Sequence, residues 1–159
     1  MYGKIRKKEG DFMEQETKQS AEILAEIYRN CQLALQSIAN ILPQVEDEEV
    51  KNELHAQHEQ YEQFCAKASV LAKDRGIELK EPNVFKKAMM WGSIKMNTLT
   101  DNSRSHIAEM MVQGTVMGNT ALRASAGDAH PDGDDDIYAL LSEILRKEEE
   151  YEKRWKEFL

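Results

Sequence analysis

Proline is scarce in this chain of 159 residues, and long apolar runs are missing from it. The three prolines, Pro43, Pro82 and Pro131, each stand at a break between long periodic segments. No apolar run approaches the roughly 20 residues that a helix needs to cross a bilayer, and no segment alternates apolar and polar residues as a half-buried strand does. The sequence therefore predicts long helices, without strands or membrane-spanning segments.

Several functional signatures are also missing. The chain has no glycine-rich phosphate loop, no Cys-x-x-Cys motif and no serine–histidine–acid ordering, so nucleotide-binding, thiol-redox and hydrolase classes have no positive support. The net charge is −8, with acidic and basic residues interspersed, and no basic stripe would neutralise phosphates. We expect no nucleic-acid partner, no membrane partner and a cytoplasmic location.

Only two cysteines occur, Cys31 and Cys65, and both fall on or beside the apolar stripes of different helices. We interpret them as buried thiols in a reducing cytoplasm. An interhelical disulfide is the alternative.

One domain accounts for most of the chain, since 159 residues can bury a core without disulfides or metals. Residues 1–12 hold a basic cluster, Lys4 to Lys8, that no apolar run follows. They predict a basic flexible tail rather than a signal peptide. Residues 13–159 then form a single, all-α, four-helix-bundle domain.

Capping signals mark the ends of three helices whose apolar residues have helical spacing. A capping box at Asp11 opens the first helix, which ends near Leu42. The second helix runs from Asp47 to a closing glycine, Gly76. The fourth starts near Asp134 and reaches the C-terminus.

The third segment leaves two alternatives. From Pro82 to Ala126 a single helix would be about 67 Å long, whereas the other helices reach only about 40 Å. The run Thr98–Ser103 has poor helix formers and could cap a new helix at Asp101, which would make residues 77–100 a partly helical crossover. Because the apolar stripe continues in phase through this run, one very long third helix stays open as the alternative.

The third segment is also apolar nearly all round, which usually means burial on both sides. Its predicted inward stripe includes Ile107, Met110, Gly114, Met117 and Ala121. The outer side needs a cover, either a partner subunit or the chain's own extra segment. We favour self-association, in a homodimer or higher homo-oligomer whose interface includes Trp91, Ile94, Val112 or Val116. The spacing of Gly114 and Gly118 lets a bulky neighbour such as Tyr151 or Trp155 approach closely.

One carboxylate, Glu148, lies in the middle of the apolar stripe of the fourth helix. A buried carboxylate must find a cation, a metal, a hydrogen-bond partner or a proton, because an unpaired buried charge is too unfavourable to keep. The favoured interpretation is a polar layer in the core. Its candidate partners are Gln57, Ser103, Tyr61 and His106.

The alternative for Glu148 is a metal site. Together with His106, Glu152 and Gln57 it supplies ligand types that suit iron, manganese or zinc. We expect no cofactor if the polar layer is the correct interpretation, and one of these metals if it is not.

Four amphipathic helices, the crossover alternative and the inward polar residues resemble the ferritin-like superfamily. The stretch Lys95–Met111, KMNTLTDNSRSHIAEMM, is similar to that of small bacterial ferritin-like proteins. Members with a di-iron centre carry a Glu from each of two helices and a Glu-x-x-His pair from each of the other two. This sequence contains no Glu-x-x-His, and only Glu148 matches a ligand position. The resemblance thus implies the fold more than the metal chemistry.

Two functions follow from these patterns. The first is a non-catalytic, self-associating ferritin-like bundle with a structural or interaction role in a bacterial cytoplasm. The second is a metal-binding protein, an oxidase or a peroxide-consuming enzyme, with a degenerate site around Glu148 and His106. The missing Glu-x-x-His pairs and the apolar inner face of the first helix favour the first.

Overall fold

The computed structural model describes residues 2–80, 101–127 and 135–159, with side chains from Lys18 onward in the first range and from Asp136 onward in the last. A short 3-10 turn, Leu42–Gln44, follows the first helix. Within these ranges there is no strand, so the predicted all-α fold with four helices is confirmed. The helices are α1 (Tyr2–Ile41), α2 (Glu48–Asp74), α3 (Arg104–Ala126) and α4 (Asp135–Lys156).

Both ends of α2 follow the predicted capping chemistry. The side chain of Asp47 accepts hydrogen bonds from the backbone N–H groups of Glu49 and Val50, at 3.0 and 3.2 Å. At the other end Gly76 has a φ of 65°, and the N–H of Ile77 donates to the carbonyl of Ala72 at 2.8 Å. A glycine in this left-handed conformation is the usual way to close a helix.

The beginning of α1 differs from the prediction. The backbone is helical from Tyr2, so the predicted start at Asp11 is wrong, and residues 2–12, assigned to a tail, belong to the helix. Lys, Arg and Glu are common in this stretch and are good helix formers. A motif that resembles a capping box does not mark the start of a helix when the residues before it also favour helix.

The two alternatives for the third segment are resolved at its centre. Residues 101–103 are not helical, and α3 begins at Arg104 with Ser103 as its N-cap, whose hydroxyl accepts from the N–H of His106 at 3.3 Å. The single very long helix is therefore wrong, because a good cap at Ser103 outweighs the continuous apolar stripe. The new helix begins three residues after the predicted Asp101. The partly helical crossover falls largely on residues 81–100, which lie outside the described residues.

Contacts at the two ends of the bundle fix the direction of each helix. At one end Arg75, just after α2, lies 3.5 Å from Asp136 at the start of α4. At the opposite end Arg104, the first residue of α3, pairs with Asp47 at 2.7 Å and lies over the ring of Phe158, just after α4. Hence α2 and α3 run in one direction and α1 and α4 in the other.

The directions of the helices have a consequence for the connection between α2 and α3. Each of these two helices packs against α1 and α4, so they lie diagonally across the bundle. The end of α2 and the beginning of α3 are at opposite ends, about 40 Å apart for a helix of this length. Simple up-down bundles do not have this arrangement, whereas bundles with one long crossover do.

Most residues of the apolar stripes of α1, α2 and α4 lie in the core, whereas Leu159, at the end of the α4 stripe, is 63% exposed. The side chains of the core come from all four helices and from the residues next to them, and the largest fully buried ones are Trp155 and Phe64. In α4 the predicted stripe is buried at Ile137, Leu141, Ile144, Glu148 and Trp155.

The predicted stripe of α3 is correct at Ile107, is half-buried against the core at Met110, and is wrong from Gly114 onward. Met117 is 69% exposed, and Gly114 and Ala121 are also exposed. The buried residues of α3 are Ile107, Ala108, Thr115 and Leu122. Hydropathy did not identify the inward face of α3, because this face carries the polar side chains of Thr115 and Asn119. Both side chains donate hydrogen bonds to backbone carbonyls. Thr115 donates to the carbonyl of Met111 at 2.6 Å, and Asn119 donates to that of Leu145 at 3.3 Å.

Gly118 has a different neighbour from the one predicted. A Cβ atom at this position would collide with Oδ1 of Asn30, whereas one at Gly114 would meet nothing within 4 Å. The prediction that this pair of glycines admits Tyr151 or Trp155 is therefore wrong. Gly118 makes room for an amide side chain from α1.

Candidate functional site

Glu148 is 1% exposed and takes part in a polar layer inside the core. Its Oε1 accepts hydrogen bonds from Nδ2 of Asn30 at 2.5 Å and from the hydroxyl of Tyr61 at 3.3 Å. Its Oε2 is buried and has no hydrogen-bond partner among the residues that the structure describes. We name Glu148, Asn30, Tyr61 and Gly118 the Glu148 layer, to which each of the four helices contributes one residue.

Packing holds the two donors in place. Asn30 reaches the carboxyl group over Gly118, where the missing side chain leaves room. The ring of Tyr61 meets that of Phe64 edge to face, with centroids 6.2 Å apart, and lies 5.9 Å from that of Tyr151. Aromatic contacts of this kind fix the ring and so direct its hydroxyl at Glu148.

Burial controls the protonation of the layer. It raises the pKa of Glu148 to about 7, and the hydrogen bonds from Asn30 and Tyr61, which favour the charged form, only partly offset it. Burial, and then the nearby Glu148 carboxylate, raise the pKa of Tyr61 well above its ordinary value. Tyr61 therefore stays a neutral donor at physiological pH, while Glu148 can gain or lose its proton near neutrality.

The two cysteines lie next to this layer. Cys31 and Cys65 are both buried, as the sequence predicted, and they are not joined by a disulfide in this structure. The thiol of Cys31 has a hydrogen-bonding contact with that of Cys65, and this contact, burial and the Glu148 charge raise its pKa. Nε2 of Gln32 donates to Sγ of Cys65 at 3.7 Å.

Of the candidate partners of Glu148, Tyr61 is confirmed and Gln57 is placed elsewhere. Gln57 is buried, but its Nε2 donates to Glu53 at 3.0 Å and its Oε1 accepts from the indole of Trp155 at 3.1 Å. The amide is thereby engaged with the neighbouring polar groups of α2 and α4.

The other two predicted metal ligands also lie apart from the carboxyl group. Glu152, one turn after Glu148 on α4, accepts from Nζ of Lys156 at 2.8 Å. His106 is in the first turn of α3, twelve positions before Gly118, which corresponds to about 18 Å along the helix. Its Nε2 is buried without a hydrogen-bond partner in the described part of the chain.

The described residues assemble no group of three or more His, Cys, Asp and Glu side chains that could hold a metal ion. Glu148 offers one open oxygen, Oε2, and its neighbours are an amide and a phenol. The set of Glu148, His106, Glu152 and Gln57 stays a prediction, and the layer as described is a hydrogen-bonded network around one carboxyl group.

Asn30 is the member of the layer that sequence reasoning missed. An amide beside the apolar stripe of α1 gives no signal by itself, because polar residues at the edge of a stripe usually face solvent. The signal lay on another helix, in the glycine at position 118. Two such positions can be connected only when the packing of α1 against α3 is known.

No helix in the described ranges combines the length and the apolar character required for a membrane span. Neither a protein-family model, nor a curated protein, nor a solved structure matches this chain.

Proposed function

We propose that the protein is a non-catalytic, self-associating bundle of ferritin-like architecture with a structural or interaction role. The helix directions support the architecture, since α2 ends and α3 begins at opposite ends of the bundle. The observation that carries the self-association is an exposed and uncharged surface on α3. We name this surface the α3 outer face; it consists of Gln113, Gly114, Val116, Met117, Thr120, Ala121 and Ala124.

The α3 outer face contrasts with the rest of a chain in which 31% of residues are charged. Met117 is 69% exposed and Val116 is 40% exposed at its centre. The charged residues nearest to the face are Glu109, exposed one turn before Gln113, and Arg123, which is turned to Glu149 on α4 at 2.5 Å. An exposed helix face with apolar residues and no charge is typical of a surface that another protein covers.

A second copy of the chain is the partner that this face fits best. In a two-fold dimer the same face meets itself, so an uncharged surface faces an uncharged surface. Gly114 leaves open space above the helix, which allows the backbone of a second helix to approach. Val112, one of the predicted interface residues, is half-buried beside the face, whereas Trp91 and Ile94 lie outside the described residues.

Sedimentation velocity or light scattering tests the proposal. We expect the wild-type chain to be a dimer or larger and Met117→Glu to be a monomer, because the substitution places two carboxylates in the interface. Val70→Glu is the matched control, since Val70 on α2 is 59% exposed and lies outside the face; it should leave the assembly unchanged. A wild-type monomer at all accessible concentrations would refute the proposal.

A metal-binding role is the second candidate, and one observation favours it. Oε2 of Glu148 is an acceptor buried without a hydrogen-bond partner among the described residues. Iron, manganese or zinc accepts carboxylate oxygen as a ligand. The amide and phenol beside Glu148 are poor further ligands, so we rank this role below the structural one.

A further inference from the structure

Two thiols on neighbouring helices meet at the packed surface between α1 and α2. Cys31 of α1 is 0% exposed and Cys65 of α2 is 8% exposed. Their sulfurs have a hydrogen-bonding contact, although 33 residues separate the two positions along the chain. Neighbouring antiparallel helices bring the two thiols together, which is the arrangement that a disulfide between helices requires.

The surroundings of the two thiols differ. Cys65 is buried but retains a small exposed fraction, and the half-buried Gln32 donates an amide N–H to its sulfur at 3.7 Å. A donor of this kind favours the thiolate, which is the reactive form. Cys31 has no exposed surface, and Glu148 lies close enough for its carboxylate to oppose a second negative charge there. Cys65 is therefore the thiol that a solute reaches first.

We propose that Cys31 and Cys65 are a redox pair which a hydroperoxide oxidises to a disulfide joining α1 to α2, with Cys65 as the attacking thiol. The Cys65 thiolate attacks one peroxide oxygen, so an S–O bond forms, the O–O bond breaks and the other oxygen leaves, taking up a proton as water or an alcohol. Cys31 then attacks the resulting sulfenic sulfur. The S–S bond forms, the S–O bond breaks, and the oxygen leaves as water with the proton of the Cys31 thiol.

The disulfide would connect the two helices that supply the donors of the Glu148 layer. Cys31 follows Asn30 directly, and Cys65 lies one helical turn after Tyr61. The bond would close a loop that contains the turn between α1 and α2, which removes conformational freedom from the unfolded chain. We expect the oxidised protein to melt several degrees above the reduced one.

Mass spectrometry of the full chain after treatment with hydrogen peroxide tests the pairing. We expect each chain to lose two hydrogen atoms, and a non-reducing digest to contain one cross-linked peptide with Cys31 and Cys65. The bond lies within one chain, so it does not depend on self-association. Native protein that keeps both thiols under excess peroxide, while the unfolded chain is oxidised, would refute the pair. Cross-links found only between chains would refute it as well.

Single substitutions test the order of attack. In Cys31→Ser the remaining Cys65 should form a sulfenic acid that dimedone traps. In Cys65→Ser the remaining Cys31 should stay unmodified in the folded protein, because no solvent reaches it. Equal trapping in the two variants would overturn the assignment of Cys65 as the attacking thiol. Circular dichroism checks that each variant is folded. If a variant does not fold, the loss of two hydrogen atoms from the wild-type chain still tests the pairing.

Discussion

At the scale of the residue, Glu148 shows how a carboxyl group is accommodated in an apolar core. Its hydrogen bonds to Asn30 and Tyr61 satisfy one oxygen, and its pKa near 7 means that a proton often neutralises the group. The sequence was sufficient to predict that Glu148 is buried, since it lies in an apolar stripe, and to include Tyr61 among four candidate partners. It was not sufficient to identify Asn30, whose position depends on a glycine of another helix.

The raised pKa of Glu148 predicts how stability depends on pH. The ordinary pKa of the group is 4.5 and the folded value is about 7, so between these values the folded state binds more protons than the unfolded state. The free energy of unfolding should therefore fall as pH rises through this window, by roughly 3 kcal/mol in total. Urea unfolding of the wild type and of Glu148→Gln over the same pH range measures the effect as the difference between their free energies of unfolding at each pH.

Glu148→Gln cannot titrate, so it should lack this part of the pH dependence and exceed the wild type in stability above pH 7. The control is Glu152→Gln, one turn later, where a partly exposed side chain pairs with Lys156; it should keep the wild-type slope. A stability difference between wild type and Glu148→Gln that is the same at every pH would contradict the prediction.

At the scale of the element, local signals predicted both ends of α2 and missed the starts of two other helices. Asp47 and Gly76 act within a few residues of themselves, so their roles are readable from the sequence. The same kind of signal placed the start of α1 at Asp11 and the cap of α3 at Asp101, whereas the structure has Tyr2 and Ser103. The inward face of α3 depends on which polar groups find partners on other helices. Asn119 does so by donating to the carbonyl of Leu145 on α4, whereas Thr115 donates to the carbonyl of Met111 one turn back in α3. Methionines on both sides of α3 leave hydropathy without a clear preference.

The two glycines of α3 provide a test of this packing. Gly118→Ala should lose roughly 1–2 kcal/mol of stability, because the new Cβ displaces Asn30 from Glu148, and the lost hydrogen bond exceeds the gain in helix propensity. Gly114→Ala is the matched change at an open position and should gain roughly 0.5–1 kcal/mol. Both are best measured by urea unfolding in the Met117→Glu background, which removes the effect of assembly. Equal gains at both positions would show that Asn30 does not depend on Gly118.

At the scale of the whole molecule, the interior and the surface support different functions and can be tested separately. The Glu148 layer is enclosed by four helices, whereas the α3 outer face lies on the opposite side of one of them. The sequence predicted these helix directions only under one of its two alternatives for the third segment, the crossover. The continuous apolar stripe kept the other alternative, one very long helix, open. The ion pairs at the two ends of the bundle, Arg75–Asp136 and Arg104–Asp47, established the helix directions.

Metal content separates the two functions at this scale. We expect protein purified without an affinity tag to contain no stoichiometric iron, manganese or zinc, because His106, Glu152 and Gln57 do not converge on Glu148. A chelator should then leave the melting temperature unchanged, since a ligand that binds only the folded state would have raised it. The opposite result is equally clear. About one or two metal equivalents per chain that disappear in both Glu148→Gln and His106→Ala would place the protein among metal-binding bundles, and the open oxygen of Glu148 would be the first ligand to assign.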